Sequence, residues 1–227
     1  MNNNEILKAL QLKHVVAFHH ANSVKTSCTF LEHGALLSRA HVEKNGLSQT
    51  SQSSDSSDKA FGIWNDVFLD GVDIHSRARN NNHYGPVLFV LNFESVLRDK
   101  ALEGTLRITR ENPIYWSNGQ NDSDRYYGSV AEFEVAYKFG DFAKMFTFRI
   151  DDGRIPLVPH LNRIVLDDPQ VTVNGASAYE SAKEYLMAAA KRGQTKVEVK
   201  KRNCSNGCKC VELYKANWTT LKHMFGT

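Results

Sequence analysis

The sequence feature that most constrains the fold is the run Val87-Leu88-Phe89-Val90-Leu91, which follows Gly85-Pro86. The run is continuously apolar, contains β-branched and aromatic residues, and does not alternate with polar residues. Such a pattern is typical of a strand that is buried on both faces of a sheet. The chain has 227 residues, of which 41% are hydrophobic, so it is long enough to bury this strand in an ordinary globular core.

The segments around this run predict a mixed architecture. Three further stretches are rich in β-forming residues and are predicted to be strands: residues 130–137, 145–150 and 163–166. Two helices are predicted from capping patterns: one begins at Asn22-Ser23 and ends near Glu32, and the other runs from Ser177 to about Arg192. Because strands and helices mix without a regular βαβ alternation, the sequence predicts an α+β fold rather than a doubly wound sheet.

The chain shows no convincing linker, so residues 1–227 are predicted to form one domain. The stretch 47–58 is rich in serine and is predicted to be a mobile surface loop, because it cannot bury much apolar surface. The region after about residue 170 is predicted to be an appended layer, made of the second helix and a hairpin. The hairpin would consist of strands at 195–200 and 210–214 and a turn at 203–207.

Composition and charge predict a soluble cytoplasmic protein. No apolar run approaches the roughly 20 residues of a membrane span, and the first 14 residues lack the apolar centre of a signal peptide. Four cysteines, three of them within 204–210, do not form a disulfide framework and fit a reducing compartment. The formal net charge of +3 permits an anionic partner without requiring one.

The three crowded cysteines raise the question of a metal site. Cys204, Cys208 and Cys210 stand at spacings of four and two residues, whereas zinc sites usually pair cysteines as CxxC. His223 could be a fourth ligand. The alternative, which the spacing favours, is a turn that carries three thiols and no metal.

Two carboxylates are candidates for acid–base chemistry. Glu132 and Glu134 alternate within the predicted strand 130–137, so they would point to the same face. A solvated strand face would carry the same pattern, and the choice depends on the surroundings. Combined with a cluster of histidines, these carboxylates could also form a metal-dependent nuclease. The histidines available for such a site are His14, His19, His20, His33 and His41.

Two groups of basic residues could contact phosphates. Arg77 and Arg79 lie just before the buried strand, where either could bind a phosphate through two hydrogen bonds. Residues 191–202 hold six Lys or Arg, which could follow a nucleic-acid backbone in a non-enzymatic binding module. A basic helix surface and a solvated strand face are the corresponding alternatives.

Four segments in order carry a resemblance to a known family. They are Phe18-His19-His20-Ala21-Asn22-Ser23-Val24 followed by Phe30 to Arg39; Asp73 to Arg77 followed by Gly85 to Val90; Ser129 to Val135; and Arg154 to Leu157 followed by Leu161 to Leu166. Together they resemble the DarT-like ADP-ribosyltransferases over roughly residues 15–170. Val130 stands where the family's "QAEFLV" pattern has Gln, and the tail after residue 170 matches nothing in the pattern.

The resemblance implies an ADP-ribosyltransferase-like core, a split antiparallel sheet with flanking helices, that uses NAD as co-substrate and needs no metal. It implies transfer of ADP-ribose to a base of single-stranded nucleic acid, either RNA or DNA. The family contains toxins of toxin–antitoxin systems, and its distant CmdT-like relatives modify single-stranded mRNA in phage defence. The resemblance therefore also implies a cognate antitoxin as partner.

The same resemblance assigns roles to particular residues. Glu132 would be the catalytic carboxylate, with Glu134 as the alternative, and Arg77 would hold a phosphate or steady the transition state. The cofactor would be bound by His20, Asn22, Ser23 and Arg79. Arg39 lies in the turn that the family shares, where a structural role suits it as well as a role in the site. The aromatic residues before Glu132 would stack bases, or would only anchor their loop: Tyr115, Trp116, Tyr126 and Tyr127.

Overall fold

In the computed structural model, which describes residues 1–226, the chain is built on a seven-stranded sheet. The strands are β1 (Phe18–Asn22), β2 (Ala35–Leu37), β3 (Asp66–Asp70), β4 (Val87–Leu91), β5 (Leu106–Ile108), β6 (Met145–Arg149), β7 (Arg154–Pro156), β8 (Leu161–Leu166), β9 (Thr172–Val173), β10 (Ala176–Ser177) and β11 (Val199–Lys201). The main sheet has the order β11-β8-β4-β1-β3-β6-β5, and its neighbours are antiparallel except for β11 and β8. Two smaller sheets pair β2 with β7 and β9 with β10.

Helices surround the sheet, so the predicted α+β class is confirmed. The helices are α1 (Asn3–Leu12), α2 (Val24–Glu32), α3 (Arg39–Lys44), α4 (Asp55–Ala60), α5 (Ile74–Ala78), α6 (Phe93–Arg98), α7 (Asp122–Arg125), α8 (Val130–Ala136), α9 (Ala178–Arg192), α10 (Cys210–Ala216) and α11 (Trp218–Phe225). Within the described residues, no helix is both long and apolar enough to span a membrane.

The strand predicted from the apolar run is β4, and all five of its side chains are buried. It lies between β1 and β8. The register places His20, the third of the five residues of β1, opposite Phe89 of β4. On its other side β1 pairs with β3, where His19 lies opposite Asp70. The centre of the sheet therefore carries polar side chains beside its most apolar strand.

The predicted strand that contains Glu132 is instead the helix α8. The Ser129 hydroxyl accepts a hydrogen bond from the Glu132 N–H (3.3 Å), which begins the helix. Phe133 and Tyr137 are four residues apart and both buried, so one face of a helix packs on the core. The expectation that Glu132 and Glu134 share a face is therefore wrong, because positions two apart on a helix differ by roughly 200°.

The predicted C-terminal hairpin is also wrong. β11 pairs in parallel with β8 and forms an edge of the main sheet. Residues 210–216 form α10, whose buried positions Cys210 and Tyr214 are again four residues apart. The region after residue 170 thus contributes a strand to the central sheet as well as a helix, α9, that packs on α2.

Candidate active-site cavity

A cavity of about 830 Å³, its open mouth included, lies where β1 leads into α2. β1 contributes His20, Ala21 and Asn22, and β3 contributes several residues between Asp66 and Asp70. Further parts of the wall come from α2, from the segment 49–58, from residues 112–114 and from single residues of other elements, Arg39 among them. Strand pairing and the β1–α2 connection therefore bring together residues that are distant in sequence.

His20 presents one hydrogen-bond acceptor. Its Nδ1 lies 2.8 Å from the carbonyl oxygen of Phe68, which can only accept, so Nδ1 carries the proton. Burial lowers the pKa of His20, and the bond to Phe68 opposes this only in part. The ring is therefore neutral at pH 7, and its Nε2 keeps a free lone pair. The side-chain amide nitrogen of Asn22 lies 3.5 Å from Nε2, at the long limit for a hydrogen bond.

Asn22 and Ser23 have different roles at the end of β1. Asn22 lines the cavity, and its Oδ1 accepts a hydrogen bond from the Ser23 N–H (3.0 Å). Ser23 caps α2 by accepting from the Thr26 N–H (3.3 Å). Its hydroxyl also lies 2.6 Å from that of Thr50 and is buried. Ser23 therefore holds the helix start, and the predicted contact with a cofactor does not fit its position.

Gly85 fixes the backbone at this point. A Cβ on Gly85 would lie 2.1 Å from the carbonyl carbon of Asn22, and its φ of +149° is unfavourable for other residues. Only glycine allows the chain before β4 to pass this close to the end of β1. The orientation of Asn22 therefore depends on Gly85.

The serine-rich segment 47–58 is not the free surface loop that its composition predicts. The N–H of Thr50 donates to the Thr26 hydroxyl of α2 (2.8 Å), and residues 55–60 form α4. Gln49, Gln52 and several neighbours form one wall of the cavity. Polar side chains suit this position because they hydrogen-bond to the helix start and still face the cavity.

Arg39 lines the same cavity and retains one unpaired N–H. Its Nη1 donates to the carbonyl of Thr50 (3.0 Å) and its Nη2 to Asp55 (2.6 Å). The guanidinium stacks on the ring of Trp64 at 5.3 Å. Its Nε is buried and has no hydrogen-bond partner among the described residues. Arg39 is therefore held in place while one donor stays unused.

Three aspartates that the sequence analysis did not single out also line the cavity. Burial raises the pKa of Asp70 to about 7, with the charge of Asp73 as the smaller cause. Burial raises the pKa of Asp58 to about 6, against a hydrogen bond from Ser54. Asp66 is paired with Arg149 (2.7 Å). The sequence Asp66-Val67-Phe68-Leu69-Asp70 could have indicated a pair of carboxylates at a site, because residues four apart on a strand lie on the same face.

Glu132 lies outside the lining of the cavity. It is half exposed, in the first turn of α8, and its carboxylate pairs with Arg110 (2.6 Å). The Arg110 guanidinium in turn lies over the ring of Tyr127 at 4.8 Å. Residues 112–114 form part of the cavity wall, and the chain continues from them through α7 to α8. Glu132 is therefore connected to the cavity wall along the chain, although its own side chain does not line the cavity.

Arg77 and Arg79 do not approach the cavity. The Nε of Arg77 donates to the carbonyl of Gly140 (3.3 Å) on the surface. Arg79 ends α5 in a left-handed conformation (φ +56°), and its carbonyl accepts from the Lys209 N–H (2.8 Å). A phosphate site shared with His20 would require one of these arginines to line the cavity, and neither does.

Three of the four predicted stacking aromatics are buried. Trp116 and Tyr126 pack against Ile63, and Tyr127 packs edge-on against Phe133 with the ring centres 5.9 Å apart. Their burial corrects the expectation that they stack bases and fits the alternative, in which they anchor the loop. Tyr115, 72% exposed, is the one of the four that is free to stack.

The structure does not assemble the metal site that a nuclease would need. Within residues 1–226, the one group of three or more His, Cys, Asp or Glu side chains close enough to share an ion is His75, Cys204, Cys208 and Cys210. It contains none of the N-terminal histidines and neither Glu132 nor Glu134. His223 is not the fourth member, because its Nε2 lies 3.0 Å from the carbonyl of Ser51.

The basic strip 191–202 is largely neutralised. Four of its six basic residues form ion pairs: Arg192 with Glu32, Lys200 with Glu198, Lys201 with Asp168, and Arg202 with Asp73 and Asp167. These pairs leave little unpaired charge to follow a nucleic-acid backbone, and the solvated-face alternative describes the strip better.

Comparisons with known proteins include a structural similarity. No family model matches the sequence, and no curated protein matches it. Among solved structures, the chain is similar to the DarT of Thermus sp. 2.9 in complex with NAD+, with a TM-score of 0.49. The match covers 83% of this chain and 96% of that chain at 11% sequence identity. At this identity no residue of that protein assigns a role to a residue here.

Proposed function

We propose that this chain is an NAD-dependent ADP-ribosyltransferase that binds its co-substrate in the cavity at the end of β1. The observation that carries the proposal is the meeting of His20, Asn22 and Arg39 in that cavity. These residues belong to the first of the segments that resemble the DarT-like enzymes. The cavity also offers hydrogen-bond donors and acceptors that the protein itself leaves unused.

Each of the three side chains suits one part of a dinucleotide. The free Nε2 of neutral His20 can accept a hydrogen bond from a ribose hydroxyl. The side-chain amide nitrogen of Asn22 lies 3.5 Å from His20 Nε2, a long distance for a hydrogen bond, and it can instead donate to a sugar or amide oxygen. The unpaired Nε–H of Arg39 can donate to a phosphate oxygen. Their fixed positions on β1 and α3 reduce the entropy lost on binding.

NAD supplies a ribose carbon whose bond to nicotinamide breaks as positive charge develops on the sugar. A fixed carboxylate beside this carbon stabilises the charge. We assign this role to Glu132, on the strength of the resemblance. For Glu132 to reach the cavity, its ion pair with Arg110 must open and the segment 112–129 must shift. Asp70, already in the cavity, is the alternative carboxylate.

The acceptor we propose is a base of single-stranded RNA or DNA. A base edge is accessible there, whereas a duplex hides it. Tyr115, exposed in the segment between the cavity wall and α8, offers a stacking surface. An enzyme that modifies its host's nucleic acid must be restrained, so a toxin role in phage defence and an antitoxin partner belong to the same proposal.

The test uses labelled NAD+ with single-stranded RNA, single-stranded DNA and bulk protein as separate acceptors. The variants are Glu132→Gln, Asp70→Asn and, as the matched control two positions away, Glu134→Gln. We expect label on one nucleic acid, a loss of at least about 100-fold in Glu132→Gln, and near-normal transfer in Glu134→Gln. Binding of NAD+ to Glu132→Gln, measured by calorimetry, should persist.

Other results separate the parts of the proposal. Loss of transfer in Asp70→Asn with normal transfer in Glu132→Gln would move the catalytic role to Asp70. Label on protein alone would overturn the nucleic-acid acceptor and keep the transferase. Absence of both NAD+ binding and label with the unaltered protein would overturn the function.

A further inference from the structure

Four side chains of types that bind metals converge outside the lining of the cavity. Cys204 Sγ lies 3.4 Å from Cys210 Sγ and 3.7 Å from His75 Nε2, and Cys208 Sγ lies 3.3 Å from the same nitrogen. All four ligand atoms lie within 4.8 Å of one another. Three thiols and an imidazole thus form a compact group, although His75 precedes Cys204 by 129 residues.

These separations are close to the edges of a zinc tetrahedron, and small side-chain movements would bring them to it. Zinc binds thiolate sulfur at about 2.3 Å and imidazole nitrogen at about 2.0–2.1 Å, which gives S–S edges of about 3.8 Å and S–N edges of about 3.6 Å. A disulfide between Cys204 and Cys210 would instead need its sulfur atoms at about 2.05 Å. Three sulfurs and one nitrogen form one of the common closed ligand sets of structural zinc.

A buried carboxylate orients the imidazole toward the thiols. The Nδ1 of His75 donates to Asp167 (2.9 Å), which leaves the Nε2 lone pair directed at Cys204 and Cys208. Asp167 also accepts from the hydroxyl of Tyr214 (2.8 Å) and from Arg202. A carboxylate behind a histidine ligand is the usual arrangement at zinc sites, where it fixes the tautomer and raises the basicity of the ligand.

The surrounding chain is arranged to hold this group together. Asp73 caps α5, which carries His75, and Asp73 is paired with Arg202 (2.6 Å). The Lys209 N–H donates to the carbonyl of Arg79 at the end of α5. The apolar cluster beneath α10 and α11 is small and separate from the main core, with Cys210, Tyr214 and Leu221 as its buried members. A small cluster of this kind gains much from a cross-link.

We propose that His75, Cys204, Cys208 and Cys210 bind one zinc ion in a closed structural site that joins the segment 204–210 to α5. All four positions of the ion are filled by protein, so the site holds the fold together and does not act on substrate. Zinc would thereby anchor α10 and α11 to the sheet through α5. The site stands independently of the proposed transferase activity.

The first test is metal content of the full-length chain, purified without a histidine tag from zinc-supplemented culture. We expect about one zinc per chain by mass spectrometry of the elements. His75→Ala and Cys208→Ser should lose the metal. Cys28→Ser, a free thiol on α2, and His223→Ala, the alternative histidine, are the matched controls and should keep it.

A second measurement keeps the test valid where a ligand variant fails to fold. Cobalt replaces zinc in the unaltered protein, and three thiolate ligands give intense charge-transfer absorption together with the visible bands of a tetrahedral ion. Removal of zinc with a chelator should lower the melting temperature and expose 204–226 to protease. Metal-free folded protein that gives no cobalt spectrum would overturn the site, as would a Cys204–Cys210 disulfide found by mass spectrometry in protein isolated under reducing conditions.

Discussion

The cavity at β1 and the cluster around Asp167 both bury charged side chains, but they satisfy them differently. In the cavity, one oxygen of Asp70 and the Nε of Arg39 are buried without a partner among the described residues. In the cluster, both oxygens of Asp167 are bonded, one by Arg202 and the other by His75 and Tyr214. The first region is incomplete until something binds, whereas the second is complete apart from an ion.

The difference separates a binding site from a structural one. An unpaired buried polar group lowers stability, and proteins retain such groups where a ligand will pair them. A fully bonded network in a low-dielectric interior instead stabilises one arrangement of the chain. The same substitution, aspartate to asparagine, should therefore have opposite effects on stability at the two buried positions Asp70 and Asp167.

The largest expected effect is that of Asp167→Asn. The variant removes the charge that faces Arg202 in a buried pair, so we expect a loss of about 3–5 kcal/mol in the free energy of unfolding. Urea denaturation at saturating zinc measures it. Asp168→Asn is the matched control, because Asp168 pairs with the exposed Lys201 and should change stability little. Equal effects at 167 and 168 would remove the distinction between the two regions.

Asp70→Asn should raise the free energy of unfolding, and the size of the increase should depend on pH. The pKa of Asp70 is about 7 in the folded protein and 3.8 in the unfolded chain. Its contribution to stability is therefore fully present below pH 4, where it is protonated in both states, and is lost as the pH rises through 7. The asparagine variant avoids this loss. Its stability relative to the unaltered protein should therefore rise between pH 4 and 7, by about 4 kcal/mol at 1.36 kcal/mol per pKa unit, and level off above.

Denaturation at several pH values measures this difference. Glu134→Gln serves as the control, because Glu134 lies outside the lining of the cavity and the variant makes a comparable carboxylate-to-amide change away from that site. A stability difference for Asp70→Asn that does not depend on pH would show that Asp70 is already paired in the folded protein, and the contrast with Asp167 would fail.

The parts of the fold that follow from local pattern were predictable. The apolar run of β4, the cap of α2 at Ser23 and the long helix α9 each depend on residues close in sequence. α8 and α10 were assigned wrongly because seven-residue segments fit periods of both 2 and 3.6. For α8 the serine cap three residues before Glu132 was the deciding signal.

The candidate sites depended on pairing that the sequence does not display. His20 and Asn22 were indicated by the resemblance of their segment to a known family, and both line the cavity. Asp70 joins them only because β3 pairs with β1. His75 approaches Cys204 across 129 residues, so the spacing of the cysteines did not indicate it, and His223 was the histidine considered as a fourth ligand. Long-range contacts of this kind follow from the topology of the sheet.

The smallest expected effect tests whether the unused acceptor of His20 binds a ligand. His20→Ala should weaken NAD+ binding about five- to tenfold, as expected for one neutral hydrogen bond of roughly 1–1.4 kcal/mol. His19→Ala is the matched control, since His19 is also buried but lies on the opposite face of β1. Calorimetry with the folded variants compares the two.

The pH dependence of this binding sharpens the assignment. Because burial lowers the pKa of His20, the ring is neutral at pH 7 and above, and the factor by which His20→Ala weakens binding should be the same at pH 7 and at pH 8. Asp70 and Asp58 line the same cavity and have raised pKa values of about 7 and about 6, so the variant and the unaltered protein are compared at each pH. A factor that grows as the pH falls from 8 to 7 would mean that a charged imidazole contacts the ligand, which contradicts a neutral ring with a free Nε2 acceptor. Equal losses in His19→Ala and His20→Ala would show that the strand, and not the free nitrogen, is what matters for binding.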